Sequence, residues 1–314
     1  MFLLIPLSQY NQRFYRRCGR IHRPHHLHKH LCYLLLICLF FISTGASASG
    51  FQSCLNQFYA GSTPDYLNEK VTRNSVPLCF QGFATLYSGV SRTPIWSAEH
   101  LTRQRLIDAE AVGREDNFHE ESRLPESMRA KLSDYRSSGY DRGHLAPSAD
   151  MASRAQQYDS FSLANIAPQS PQNNRYVWRN IETVTRYLTK QYGETYVITG
   201  VTFSGKKISQ LHQRVLIPTH FFKAVYIPAT GEAGVYYAPN DETGRIEVIS
   251  IDELALRTGI DVMPALSPIA KAQVKELPLQ VSDIRDDTQD IPEQNEWWLQ
   301  LIIELVKWIV NEFF

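Results

Sequence analysis

The sequence predicts an α+β fold, a mostly antiparallel sheet flanked by helices, and three observations carry that prediction. Thr195–Val201, Val215–Ile217, Phe221–Ile227 and Gly234–Ala238 are short β-branched and aromatic runs separated by Gly, Pro and Asn. Gaps that small suit hairpins rather than helical crossovers. Two helices are signposted, one before and one after these runs. The composition, with 32 basic and 32 acidic residues and 43% hydrophobic content, is that of a globular chain. It excludes a fibrous, low-complexity or polytopic membrane protein.

In chain order, residues 1–48 read as a signal peptide, with an uncleaved anchor as the alternative. Six basic residues and no acid precede or flank an apolar run, Leu31–Ile42, and Ala46-Ser47-Ala48 supplies a small-x-small exit. A dozen apolar residues is short for a span of about 20. The chain is therefore expected to be exported, periplasmic or secreted, or else tethered to a membrane through this segment. His22, His25, His26, His28 and His30 belong to the same basic leader, and a metal tract there is the lesser reading.

Only Cys54 and Cys79 follow the leader. An even count in an oxidising compartment predicts one disulfide, against the alternative of two free thiols. It would pin an N-terminal arm, residues 49–79. Residues 49–280 balance their charges, so any polyanion binding must come from local clustering.

Phe83–Tyr87 and Pro94–Trp96 read as strands, and the polar residues 100–140 as short helices and loops. Ser170 can cap, and Pro171 can open, a helix to about Tyr192 whose buried stripe is Val177, Ile181, Val184 and Leu188. Ser250-Ile-Asp-Glu253 is a capping box for a second helix that Gly259 ends. Residues 269–296 are expected to be a polar linker, acidic from 282 onward. Residues 297–314 are expected to form an apolar helix with one polar stripe, Gln300, Glu304, Lys307 and Asn311. Its partner would be the domain core, a second copy in a homodimer, or a membrane surface. Without a basic face the membrane is the weaker fit.

The chemistry concentrates in Ser138–Pro147, Asn165–Gln169 and Asn173–Arg186. His144 is the residue type of a neutral-pH general base. Asn174, in the first turn of the helix beginning at Pro171, can offer an amide oxygen to a hard cation, which takes oxygen ligands. Glu182 and Arg186 fall on the side away from the apolar stripe, and Arg175 and Arg179 share that sector. Arginine grips phosphate through a planar fork. These are the parts for metal-assisted phosphodiester hydrolysis. The plain alternative for Glu182 and Arg186 is a surface i, i+4 ion pair. His100, His119, His212 and His220 lack such neighbours and read as structural.

Over about residues 80–268 the chain resembles the DNA/RNA non-specific endonuclease family, of sugar-non-specific nuclease and endonuclease G type. The likeness lies in Arg114-Glu-Asp-Asn-Phe118, in Asp134-Tyr-Arg-Ser-Ser-Gly-Tyr-Asp-Arg-Gly-His-Leu-Ala-Pro147, in Asn165-Ile-Ala-Pro-Gln169, in the Asn174–Arg186 helix and in Ile217-Pro-Thr-His-Phe-Phe-Lys223. It implies a ββα-metal (His-Me finger) nuclease core as an endonuclease domain at 80–268. It further implies His144 as general base and Asn174 as the direct ligand of Mg²⁺, with Mn²⁺ able to substitute. Glu182 would orient water on the cation, and Asp141 would orient the loop. Arg142, Arg186 and Arg114 would contact phosphate. The substrates would be DNA and RNA, cut to leave 5′-phosphates. The rival readings are a non-catalytic nucleic-acid-binding protein on the same scaffold and a membrane-associated effector acting through residues 297–314.

Overall fold

A computed structural model describes residues 50–283. The leader at 1–48 and the helix expected at 297–314 lie outside the described residues. In chain order the elements that position the site are strands β1 (Ser75–Cys79), β2 (Ala84–Ser88) and β3 (Thr93–Thr102), then helix α1 (Arg103–Glu110). The hairpin β4 (Asp141–His144) and β5 (Ile166–Gln169) follows, then helix α2 (Arg179–Tyr192) and strand β6 (Glu194–Thr202). Strands β7 (His220–Ile227), β8 (Glu232–Pro239) and β9 (Glu247–Ile249) precede helix α3 (Ile251–Thr258). A seven-stranded sheet runs β9-β8-β7-β6-β3-β2-β1, every pair antiparallel.

Strand side chains alternate between faces, so each central strand feeds two cores. On one face Trp96, Ala98, Ile198, Phe222 and Ala224 pack with Phe51, Phe58, Ile251 and Leu254. On the other, Val201, Phe221 and Val225 pack under Val177, Trp178, Ile181, Val184 and Leu188. The stripe expected from the sequence is thus the buried face of α2. Each such side chain, taken fully from water, contributes about 1.5–3 kcal/mol.

Three expected boundaries shift. The N-terminal arm is part of the fold: β1 is the sheet's edge strand, and Phe51 and Phe58 are 3% and 2% exposed. The Phe51 ring lies 5.2 Å from that of Trp96. Cys54 and Cys79 are disulfide-bonded, with Cα atoms 5.7 Å apart. The linker does not begin at 269, because Pro268–Ala272 is helical and Leu277 is buried in the α2-side core. Tyr236 Oη donates to the Pro278 carbonyl at 2.7 Å, fastening this segment to β8. Val215–Leu216 makes only a two-residue hairpin with Gln210–Leu211, outside the main sheet.

Helix α3 keeps half of its capping box. Ser250 Oγ accepts from the Glu253 N–H at 3.1 Å, but the Glu253 carboxylate pairs with Arg257 instead of reaching back. Gly259 ends the helix at φ 73°, where a side chain would be strained.

Candidate active site

The expected helix from Pro171 contains an irregularity that periodicity cannot show. Asn173–Trp178 is π-helical and leads directly into α2. Ser170 does not cap it, since its hydroxyl donates to the Asp241 carbonyl at 3.1 Å. π-turns inside helices frequently mark functional sites, because they change which side chains share a face. Here the turn separates two adjacent amides. Asn173 is buried, its Oδ1 accepting from Gln169 Nε2 at 2.5 Å and its Nδ2 donating to the Pro239 carbonyl at 2.9 Å. Both ends of that amide are spent on structure. Asn174 donates through Nδ2 to Asp141 Oδ2 at 2.9 Å, and among the described residues its Oδ1 has no hydrogen-bond partner. Because a carboxylate only accepts, this contact fixes the amide so that the oxygen is the free end.

His144 ends β4, three residues along the strand from Asp141, so the hairpin carries both the imidazole and the partner of Asn174. The order hairpin β4–β5, then helix, is the ββα arrangement. Gly143 is required between them: a Cβ there would lie 2.1 Å from Gln169 Oε1. The loop after His144 is pinned by Asn165, whose Oδ1 accepts from the Ala146 N–H at 3.0 Å and whose Nδ2 donates to the Ala146 carbonyl at 2.8 Å.

The His144 ring is walled by Phe161, edge-on at 4.9 Å, and by Phe118 at 5.5 Å. Burial, and secondarily the Arg114 cation, push its pKa down to about 3, so the imidazole is neutral. Its Nε2 is buried without a hydrogen-bond partner. The same two phenylalanines hold arginines: Arg142 Cζ lies 4.9 Å from the Phe118 ring and Arg114 Cζ lies 5.2 Å from the Phe161 ring. Arg142 Nε is another buried atom without a partner. Arg114 donates to Ser148 Oγ at 2.9 Å and to Asp116 at 2.7 Å. Its charge disfavours the imidazolium of His144 and, more weakly than Lys223 and Arg186, favours the Glu182 carboxylate.

Glu182 has no ion-pair partner among the described residues, and the surface pair with Arg186, the alternative reading, is not formed. Arg186 instead meets Asp150 at 3.0 Å. Burial drives the Glu182 carboxyl up to about 7, against the opposing pull of Lys223 and Arg186. The other two helix arginines differ from each other. Arg175 is forked onto Asp141 at 2.8 and 2.7 Å, while Arg179 is exposed. Asp141 therefore bridges Asn174 and Arg175, which accords with an orienting role.

Sequence reasoning missed the layer beneath the helix. Glu99 and Lys223 are each 1% exposed, on β3 and β7, and point toward α2. Arg105 of α1 donates to Glu99 at 3.1 Å, and Lys223 Nζ donates to Thr199 at 2.6 Å. The available signal was a single charge inside each otherwise apolar strand, because charged residues are buried only when paired. Of the other histidines, His119 stacks on Tyr158 at 4.2 Å, and its backbone N–H donates to the Phe161 carbonyl behind the His144 ring. His100 pairs with Glu194 at 2.7 Å, and the His220 ring stacks on Tyr237 at 4.8 Å.

A neutral imidazole, an unshared amide oxygen, a half-buried carboxyl and guanidinium donors, carried by one hairpin, one helix and the loop bearing Arg114, are the residue types a nucleic-acid-cleaving hydrolase uses. A sequence model of the DNA/RNA non-specific endonuclease family matches residues 64–268, and the chain belongs to that family. It is 32% identical over 227 residues to the mitochondrial nuclease of Saccharomyces cerevisiae, covering 63% of this chain and 69% of that one. Human mitochondrial endonuclease G is 34% identical over 203 residues, with 59% and 68% covered. A nuclease of Nostoc sp. is 32% identical over 233 residues, with 69% and 82% covered. The EndoG chain in a crystal structure of the EndoG/EndoGI complex shares the fold, with a TM-score of 0.53 at 24% identity and coverage of 68% and 91%. The chain is a hydrolytic endonuclease of the α+β class.

Proposed function

We propose that this chain is an exported, Mg²⁺-dependent endonuclease that hydrolyses DNA and RNA without strong base preference and leaves 5′-phosphate ends. The observation that carries the reading is that one strand bears both His144, whose imidazole Nε2 is buried without a partner, and Asp141, which holds Asn174 with its amide oxygen free. Asn174 Oδ1 and the Glu182 carboxylate are hard oxygen donors of the kind Mg²⁺ or Mn²⁺ takes. The residues present therefore fit a divalent cation. When bound, it supplies positive charge to the scissile phosphate and the departing 3′ oxygen.

The chain's own residues do the rest. His144 accepts the proton of the attacking water. A bound phosphate anion raises the basicity that burial has lowered, since a nearby opposite charge favours the imidazolium. Arg142 and Arg114 hold phosphate oxygens, with Arg186, Arg175 and Arg179 extending the positive field. Asp141 keeps Asn174 oriented. Contacts of this type read the backbone and not the bases, which accounts for cleavage of both nucleic acids. They also make binding fall steeply with salt. The bonded Cys54–Cys79 pair supports export into an oxidising compartment.

The test is digestion of plasmid DNA and of RNA with and without Mg²⁺, by wild type and His144→Ala. Loss of about 10²–10⁴ in turnover with nucleic-acid binding kept is the expected result. Unchanged cleavage by the variant, or cleavage indifferent to divalent cations, overturns the mechanism. Sequencing the N-terminus of the protein recovered outside the cytoplasm tests export, with a start near Ser49 expected.

A further inference from the structure

A cleft of about 360 Å³ opens beside the site, between α1 and α2, and shares Arg114, Ser148 and Arg186 with it. Its remaining wall is mostly apolar, with Leu106 and Ala109 from α1 and Tyr187 from α2. Tyr187 is 40% exposed. Among the described residues its ring has no aromatic neighbour and its hydroxyl no hydrogen-bond partner. A large ring left half in water, beside the arginines of a phosphate site, has the features of a stacking platform. The size suits one small ligand moiety.

Several polar atoms around the cleft, the Tyr187 hydroxyl apart, are already engaged within the protein. Thr183 Oγ1 donates to the Arg179 carbonyl and accepts from Arg186, and Gln157 Oε1 accepts from the Glu115 N–H. The Glu110 carboxylate is neutralised by Lys190. Little is left to read the edge of a base, while a π-face and an apolar floor remain. We infer that this cleft receives one nucleobase of the substrate, next to the scissile phosphate, stacked on Tyr187 and accepted whatever its identity. The inference rests on the nuclease reading above and adds a base subsite to it.

The experiment compares wild type, Tyr187→Ala and Tyr187→Phe on a short oligonucleotide with a single cleavable phosphodiester among methylphosphonates. An abasic site is placed at each position in turn. Base–aromatic stacking is worth about 1–3 kcal/mol, so Tyr187→Ala should raise KM by roughly 5- to 150-fold, with kcat within about twofold. Tyr187→Phe, which keeps the ring, should behave as wild type. An abasic site at one position adjoining the cleaved bond should abolish the difference between wild type and Tyr187→Ala, whereas abasic sites elsewhere should preserve it. A wild-type KM for the alanine variant, or a difference that survives every abasic placement, overturns the subsite while leaving the nuclease reading intact. Failure of wild type to cleave the intact oligonucleotide overturns both.

Discussion

Replacing Glu182 by glutamine should change stability in a pH-dependent way that exposes what the buried carboxylate costs. Its carboxyl is raised from 4.5 to about 7, chiefly by burial. Below pH 4.5 the group is protonated in the folded and unfolded chains alike, and wild type resembles the glutamine variant. Between 4.5 and 7 the unfolded chain has released the proton while the folded protein retains it, so folding stability falls as pH rises. Above 7 the whole penalty is present. About 2.5 pKa units at 1.36 kcal/mol each set it at about 3 kcal/mol, an upper value for a group that water partly reaches. The assay is urea unfolding followed by tryptophan fluorescence in EDTA at pH 4 and pH 8, with the disulfide intact. The stability of Glu182→Gln minus that of wild type should be more favourable by up to about 3 kcal/mol at pH 8 than at pH 4. His144 titrates in the same window, but it is present in both proteins and cancels. Millimolar Mg²⁺ at pH 8 should stabilise wild type more than the variant, because a ligand stabilises only the state that binds it. A difference independent of pH, or equal stabilisation of both proteins by Mg²⁺, would refute the assignment of Glu182 as the buried acid of a cation site.

Three further substitutions separate scaffold from site. Opening the Cys54–Cys79 bond by the double serine replacement frees a loop of 25 residues and should cost about 3–4 kcal/mol, read as a lowered urea midpoint that reductant reproduces in wild type. Asn173→Ala removes two buried hydrogen bonds and should destabilise by about 1–3 kcal/mol per unsatisfied group, whereas Asn174→Ala should leave the unfolding free energy within about 0.5 kcal/mol and abolish the Mg²⁺ dependence of stability. Gly143→Ala drives a Cβ into Gln169 Oε1 and should displace the Gln169–Asn173 contact, lowering cleavage at least tenfold with the far-ultraviolet spectrum unchanged. Equal midpoints for the two asparagine variants would remove the distinction drawn between them.

What the sequence made legible was whatever depends on local spacing. The alternation in Phe221–Ile227 and the stripe from Val177 to Leu188 gave the sheet and its covering helix, and the run through His144 gave the imidazole and its neighbours. Contacts between segments distant in the chain were not legible. Arg186 lies four residues from Glu182, which favours a local ion pair, yet the fold brings Asp150 to it from a turn 36 residues away. Arg175 likewise meets Asp141 across 34 residues. Periodicity at 100° per residue also assumes an unbroken α-helix, so the π-turn at Asn173–Trp178 was invisible to it. The edge strand Ser75–Cys79 escaped notice for a simpler reason: it contains Pro77, which argues against a central strand and is tolerated at an edge.

The polar row beneath α2 explains why the site's acid can be buried at all. Thr85, Ser97, Thr199 and Lys223 are cross-strand neighbours in succession from β2 to β7. Their side chains are linked in pairs, Thr85 with Ser97 at 2.7 Å and Lys223 with Thr199 at 2.6 Å, and Ser97 passes a further hydrogen bond to Asn165 at 2.9 Å. An all-apolar sheet face would stabilise the fold more, because buried polar groups at best recover their lost hydration. The row instead ties the sheet to the loop that follows His144, and it sets Lys223 and Arg105 against Glu99, Asp150 and Glu182 with Arg186 on the helix side. Three cations face three acids. Burial and the neighbouring acids raise the Glu99 and Glu182 carboxyls, which favours their uncharged forms. A scaffold of this kind would favour an anion, and a divalent cation held there would shift Glu182 toward its ionised form. Substitutions within the cluster should therefore combine non-additively, since each alters the ionisation of the others.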